Sequence, residues 1–242
     1  MSLLDRYSKI KDRIAAAAAK AKRSPSDITL VAVTKSATPE AIRQLLEAGH
    51  QHIAESRVQQ LQQRAAQIQE WLDRRAARGA PVAVAPPIWH MVGHLQRNKV
   101  KPVLQICRYI HSCDSLRLAE EVQTGVEKEK IAQPIQLFLE VNVGGEASKY
   151  GVAVGAALHL AEQIDTMDGL QLVGLMTMAP ITESTDEARP YFARLREIYE
   201  EIRFRKIGGN HFKHLSMGMS GDFEAAILEG ATMVRIGTAL FG

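Results

Sequence analysis

Short apolar runs alternate with longer amphipathic segments along the whole chain, and this alternation restricts the fold more than any other feature. Eight short runs occur: Ile28 to Thr34, His50 to Glu55, Ile88 to Val92, Tyr109 to Ser112, Ile135 to Val143, Leu172 to Met176, Phe212 to Met217 and Met233 to Ile236. Rich in β-branched residues and bounded by turn formers, they read as buried strands, with His50 to Glu55 and Phe212 to Met217 the weakest in pattern. Thr38-Pro39 followed by Gly49 brackets a helix between the first two. Residues 57 to 78, 96 to 107, 116 to 130, 154 to 167, 186 to 203 and 222 to 229 read as helices on similar grounds. Strict alternation predicts a parallel sheet joined by crossover helices.

Eight strands and seven intervening helices leave the last strand without a helix. Residues 3 to 22, which include the alanine run 15 to 19, form a helix with no strand before it. A closed (β/α)8 TIM barrel, one domain over residues 1 to 242 with the N-terminal helix completing the ring, accounts for both. An open doubly wound sheet is the alternative; no G-x-G-x-x-G follows the first strand, where its dinucleotide-binding form would carry one. Residues 79 to 87, Gly-Ala-Pro-Val-Ala-Val-Ala-Pro-Pro, read as a surface loop.

Apolar residues make up 46% and charged residues 24%, which excludes a disordered chain. The formal charge of +3 is mild, and the basic stretch Arg97, Lys99 and Lys101 lacks stacking aromatics, so no nucleic-acid partner is expected. Cys107 and Cys113 match neither a redox pair nor a zinc knuckle and read as buried thiols of a reducing compartment. A charged N-terminus and the lack of a run of about 18 apolar residues point to a cytoplasmic protein with no membrane segment. His50 with His52, and His90 with His94, lack a carboxylate or cysteine to complete a metal set. They read as polar lining or satisfied core groups, and no metal is expected.

In a parallel barrel the chemistry lies at the carboxyl ends of the strands. Lys35 follows Val31-Ala32-Val33-Thr34 there, and partial burial in the barrel mouth is expected to favour its nucleophilic amine for a Schiff base. Ser216-Met217-Gly218-Met219-Ser220-Gly221-Asp222 and Arg235-Ile236-Gly237-Thr238 are small-residue turns after the last two strands, where barrels commonly bind phosphate. A lysine, a phosphate nest and Arg235 as partner for a ring nitrogen suit pyridoxal 5′-phosphate (PLP). A sugar-phosphate aldolase is a second reading of the lysine and nest. A guanidinium beside the pyridine nitrogen opposes its protonation and weakens the ring as an electron sink.

Six motifs in order carry a resemblance over nearly the whole chain: residues 31 to 35, Trp89 to Lys99, Ile110 to Ser115, Leu175 to Met178, Leu215 to Ser220 and Val234 to Thr238. On these the chain resembles the pyridoxal phosphate homeostasis proteins, which are related by fold to the barrel domain of alanine racemase. The resemblance implies that Lys35 forms the Schiff base with PLP, that Ser216, Gly237 and Thr238 hold the phosphate, and that Arg235 faces the ring nitrogen. It also implies a monomer. Where the family reads Gly-Glu-Asn-Arg after the second strand, this chain has Ala54-Glu55-Ser56-Arg57, so a contact from position 56 to the cofactor is in doubt; Glu55 and Arg57 are expected to pair.

The resemblance implies a carrier or buffer of PLP, acting in its intracellular homeostasis with apo PLP enzymes as recipients, and no racemase turnover. The alternative is a stand-alone PLP-dependent racemase. Such an enzyme needs a second base opposite the lysine, and among the tyrosines only Tyr150, after the fifth strand, has a claim to that role.

Overall fold

Ser2 begins the first helix with a reciprocal capping box: its hydroxyl accepts from the Asp5 N–H (3.1 Å), and the Asp5 carboxylate accepts from the Ser2 N–H (2.9 Å). The helix, α1 (Leu3–Lys20), buries Ile10, Ile14, Ala17 and Ala18 as one stripe. The computed structural model describes residues 1–78, 84–146, 148–180 and 184–242.

Within these, the strands are β1 (Thr29–Val33), β2 (His52–Glu55), β3 (Ile88–Met91), β4 (Tyr109–Cys113), β5 (Ile135–Asn142), β6 (Val152–Ala153), β7 (Leu170–Met176), β8 (His214–Ser216) and β9 (Met233–Ile236). The helices after α1 are α2 (Pro39–Glu47), α3 (Val58–Ala77), α4 (Val100–Leu104), α5 (Leu116–Lys128), α6 (Ala157–Asp165), α7 (Thr185–Phe204), α8 (Phe223–Leu228) and α9 (Thr238–Phe241). β1 pairs in parallel with both β2 and β9, and β4 pairs in parallel with β5, so eight strands close into a (β/α)8 barrel. An open doubly wound sheet is thereby excluded.

α1 packs against α8, α9 and α2, the place that the sequence predicts for it. Three details differ from the sequence expectation. A single helical turn, α9, does follow the last strand; it is too short to show a period. The two-residue β6 pairs with the end of β5 (Val141 with Val152, Asn142 with Ala153). The helix expected from residue 96 begins as a 3₁₀ turn, Arg97–Lys99, because Pro102 has no N–H to offer the Asn98 carbonyl and its ring crowds that oxygen. Residues 79–83 of the expected surface loop lie outside the described residues, and 84–87 have no regular structure.

Alternation along each strand sorts its side chains into two cores. Leu30, Ala32, Ile53, Leu137, Leu139, Val234 and Ile236 face the helices in one large cluster. Val31, Ala54, Val92, Phe138, Val173, Met176 and Met233 form a small cluster within the barrel. The same parity as this inner set also belongs to His52, His90, His111, Glu140, His214, Ser216 and Arg235. The barrel interior therefore holds polar groups among a few apolar ones, with its charged members toward the carboxyl ends of the strands.

Candidate functional site

Lys35 stands in the turn after β1. Thr34 is buried, its hydroxyl 3.1 Å from the Ala54 carbonyl and 2.5 Å from Glu55 Oε1, and the Ala37 N–H donates back to the Thr34 carbonyl (2.9 Å). This makes Lys35 the first central residue of a tight turn and leaves it exposed. The expected partial burial of Lys35 is therefore not found: the barrel wall ends at Thr34, one residue too early to enclose it.

Arg64, on α3, holds this turn from outside. It pairs with the fully buried Glu55, donates to the Thr34 carbonyl, and reaches the Ala37 carbonyl at 2.9 Å and that of Lys35 at 3.5 Å. Glu55 thus pairs with Arg64 and not, as expected, with Arg57, which caps α3 with extended backbone and is exposed. Ser56 lies over Gly93, where a Cβ would fall 2.2 Å from the Ser56 carbonyl oxygen.

Arg235 is the buried cation of the site. Its Nη1 donates to the Ser216 carbonyl (2.7 Å) and hydroxyl (2.8 Å), and its Nη2 to the Thr177 carbonyl (2.8 Å). Burial pulls its pKa down to about 10, against the attraction of Glu140 and Asp222, so it stays charged at neutral pH. Glu140 is buried too, and desolvation pushes its carboxyl up to about 7, opposed by Arg235 and helped by Asp114.

The sequence expectation groups Ser216 with Gly237 and Thr238, but their surroundings differ. Ser216 is fully buried, its hydroxyl engaged by Arg235 and by His111 Nδ1 (2.8 Å). Gly237 is half-buried and Thr238 exposed, and their neighbour is Ser220, whose hydroxyl accepts from the Ala239 N–H (3.1 Å). Among the described residues no protein acceptor is found for the N–H of Gly237 or Thr238. Gly218 makes the intervening turn possible: its φ is +92°, and a Cβ there would meet the Ala226 Cβ at 2.6 Å. Asp222 closes the turn by accepting from the Met219 N–H (2.5 Å). Ser220 stands in the same small-residue turn, and only its contact with the Ala239 N–H marks it as a site residue beyond those that the sequence singles out.

One further group stands at this end of the barrel. His94 Nδ1 lies 3.0 Å from Asp114 Oδ2, and the half-exposed Tyr150 stacks on the His94 ring at 3.8 Å and 10°. His90 is a fully buried core group with both ring nitrogens bonded, to His52 (3.0 Å) and His111 (2.9 Å). No cluster of three or more His, Cys, Asp or Glu suited to a metal is present among the described residues. Nor is any helix among them long and apolar enough to cross a membrane. Cys107 and Cys113 are buried free thiols, and desolvation pushes that of Cys113 up to about 12.

A parallel barrel with a lysine turn after β1, an arginine inside β9 and open amides after it defines a protein of the alanine racemase N-terminal domain class, whose family model matches residues 6–242. Within that class the chain belongs to the pyridoxal phosphate homeostasis protein family. It is 38% identical over its full length to the pyridoxal phosphate homeostasis protein of Aquifex aeolicus, 98% of which is covered. Among solved structures, an unknown protein from Bifidobacterium adolescentis superposes with a TM-score of 0.87 at 35% identity, covering 99% of this chain and 94% of that one. PipY of Synechococcus elongatus, solved with PLP bound, superposes with a TM-score of 0.77 at 29% identity, covering 95% and 100%.

Proposed function

We propose that this protein binds PLP on Lys35 and serves PLP homeostasis as a carrier or buffer, the whole chain 1–242 acting as one cofactor-binding domain. When bound, PLP supplies an aldehyde to a lysine amine, and its phosphate asks for hydrogen-bond donors. The residues present fit it. Lys35 offers an accessible primary amine on a turn clamped by Arg64, so the amine approaches from a defined edge of the mouth. Gly237 and Thr238 offer N–H groups without a protein acceptor among the described residues, and Thr238 and Ser220 add hydroxyls. Ser216 acts one step back, by holding Arg235.

Arg235 is the observation that carries this reading. A guanidinium held by Ser216 and Thr177 cannot swing away, and it remains a donor at neutral pH. Were the ring nitrogen of bound PLP set against it, the guanidinium would oppose protonation of that nitrogen and so limit stabilisation of a substrate carbanion. This favours holding the cofactor, or a racemase-like reaction with limited carbanion stabilisation. The relatives' name and the PLP bound to PipY support the first of these. An exposed lysine suits handover to apo PLP enzymes in the cytoplasm, by a monomer.

Visible absorption of the purified protein with PLP, followed by borohydride reduction and peptide mass mapping, tests the assignment. A yellow protein labelled on Lys35, with Lys35→Ala colourless, is the expected result; a label on another lysine refutes it. One observation favours a second reading, a stand-alone racemase: Asp114, His94 and Tyr150 together form an acid–base group at the mouth. Exchange of an amino acid's α-proton with solvent deuterium, lost in Lys35→Ala, would favour that reading over the carrier.

A further inference from the structure

Three imidazoles run in single file through the barrel. His52 Nδ1 lies 3.0 Å from His90 Nε2, His90 Nδ1 lies 2.9 Å from His111 Nε2, and His111 Nδ1 lies 2.8 Å from Ser216 Oγ. Stacking fixes two ring planes: Tyr109 on His90 at 4.5 Å and 16°, and Phe138 on His111 at 4.2 Å and 18°. His90 and His111 are fully buried, and desolvation holds both well below the usual histidine range; His52 is lowered by the same cause. All three rings are therefore neutral at neutral pH.

A neutral imidazole has one donor nitrogen and one acceptor. A file of such rings has only two fully bonded arrangements. In one, every ring carries its hydrogen on Nε2 and the Ser216 hydroxyl donates to His111. In the other, every ring carries it on Nδ1 and His111 donates to Ser216. The second arrangement strands the Ser216 hydrogen, because the residue is fully buried and no other acceptor for it is found among the described residues. An unmade bond of a buried group is the costlier state, so the first arrangement prevails.

We propose that His52, His90 and His111 are positioning residues for Arg235: a one-way hydrogen-bonded chain, every ring in the Nε2–H form, that takes up the Ser216 hydrogen and leaves the oxygen's lone pairs to the guanidinium. The chain begins at His52, which lines a cleft of about 300 Å³ at the amino-terminal end of the strands together with Tyr7, Lys11 and His50. Opposite ends of the barrel are thus coupled through tautomers without a change of shape. The importance of Arg235 rests on the PLP reading above; the polarity of the chain does not.

Imidazole nitrogen NMR on ¹⁵N-labelled protein free of PLP tests the chain, since protonated and bare ring nitrogens resonate far apart. The expected result is a hydrogen on Nε2 and a bare Nδ1 in all three rings. In Ser216→Ala the donor into His111 is gone, and the Nδ1–H form rises to a comparable population at His52, two rings away; Ser216→Thr, which restores a hydroxyl, returns His52 to Nε2–H. A role in packing alone would not move His52. An Nδ1–H ring among the three in wild type overturns the proposal, as does an unchanged His52 in folded Ser216→Ala. A protein with ordered tautomers that takes up no PLP refutes the PLP reading and not the chain; a yellow protein with mixed tautomers does the reverse.

Discussion

Arg64 and Glu55 form an ion pair at the barrel mouth, and the guanidinium of that pair also takes the carbonyls of the turn that carries Lys35. The lysine is exposed, yet its backbone is tied to a buried charge. Its position is therefore set by α3 as much as by β1.

Breaking that pair leaves a fully buried carboxylate without its cation. Arg64→Ala is expected to destabilise the fold by about 3 kcal/mol, whereas Arg64→Ala combined with Glu55→Gln recovers a large part of the loss. Urea unfolding of the single and double variants measures it. Equal losses in both would show that the turn contacts, and not the pair, dominate.

Arg235→Lys keeps a positive charge but replaces a planar fork with a single ammonium, which cannot hold both Ser216 and Thr177 as the fork does. PLP is expected to be retained about tenfold more weakly, the loss of roughly one charge-assisted hydrogen bond. Equilibrium titration followed by visible absorption checks this. Retention at wild-type strength would remove Arg235 from the binding set.

Acid should destabilise the protein, and Glu140 should blunt the effect. Burial lowers His50 and His214 to about 4, so between about pH 6.5 and 4 the unfolded chain binds protons that the folded one does not, and stability falls as pH falls. Glu140 runs the other way. Its folded pKa of about 7 lies above the ordinary carboxyl value of 4.5, so the folded state holds the extra proton between those values and stability rises as pH falls. The opposing contribution is roughly 3 kcal/mol at most. Urea midpoints at several pH values should therefore decline more steeply toward pH 5 in Glu140→Gln than in wild type; parallel declines would place the Glu140 pKa near its ordinary value.

Gly93→Ala puts a Cβ 2.2 Å from the Ser56 carbonyl oxygen, and the three nearest atoms are all Ser56 backbone, which cannot rotate aside. A loss of about 1–3 kcal/mol is expected, with the loop after β2 displaced. Thermal melts read the stability, and weaker PLP retention in the same variant would show that this loop borders the cofactor.

The barrel was legible because its information is local. Runs of β-branched residues, a Thr-Pro helix start and a long alanine-rich helix each declare themselves within a few residues, and their order leaves few topologies. α9 and β6 escaped because elements of four and two residues have no period to detect. The place of Lys35, Arg235 and the glycine turns at strand ends was legible as well. Their detailed surroundings were not: the exposure of Lys35, the engagement of Ser216 by Arg235, and the nearness of Ser220 to the last turn all depend on where neighbouring strands stop.

By itself the sequence determined the alternation of strand and helix and the family; the strand bounds then set the parity that turns His52, His90, His111, Ser216 and Arg235 inward. Tertiary structure decided which of these groups meet. His111 and Ser216 are 105 residues apart in the chain, and Thr177 and Arg235 are 58 apart. Their contacts exist only once the barrel has closed in one register. A hydrogen bond tolerates errors of a few tenths of an ångström, whereas a hydrophobic period tolerates whole residues, so the pattern of the fold is written locally and the wiring of its interior is not.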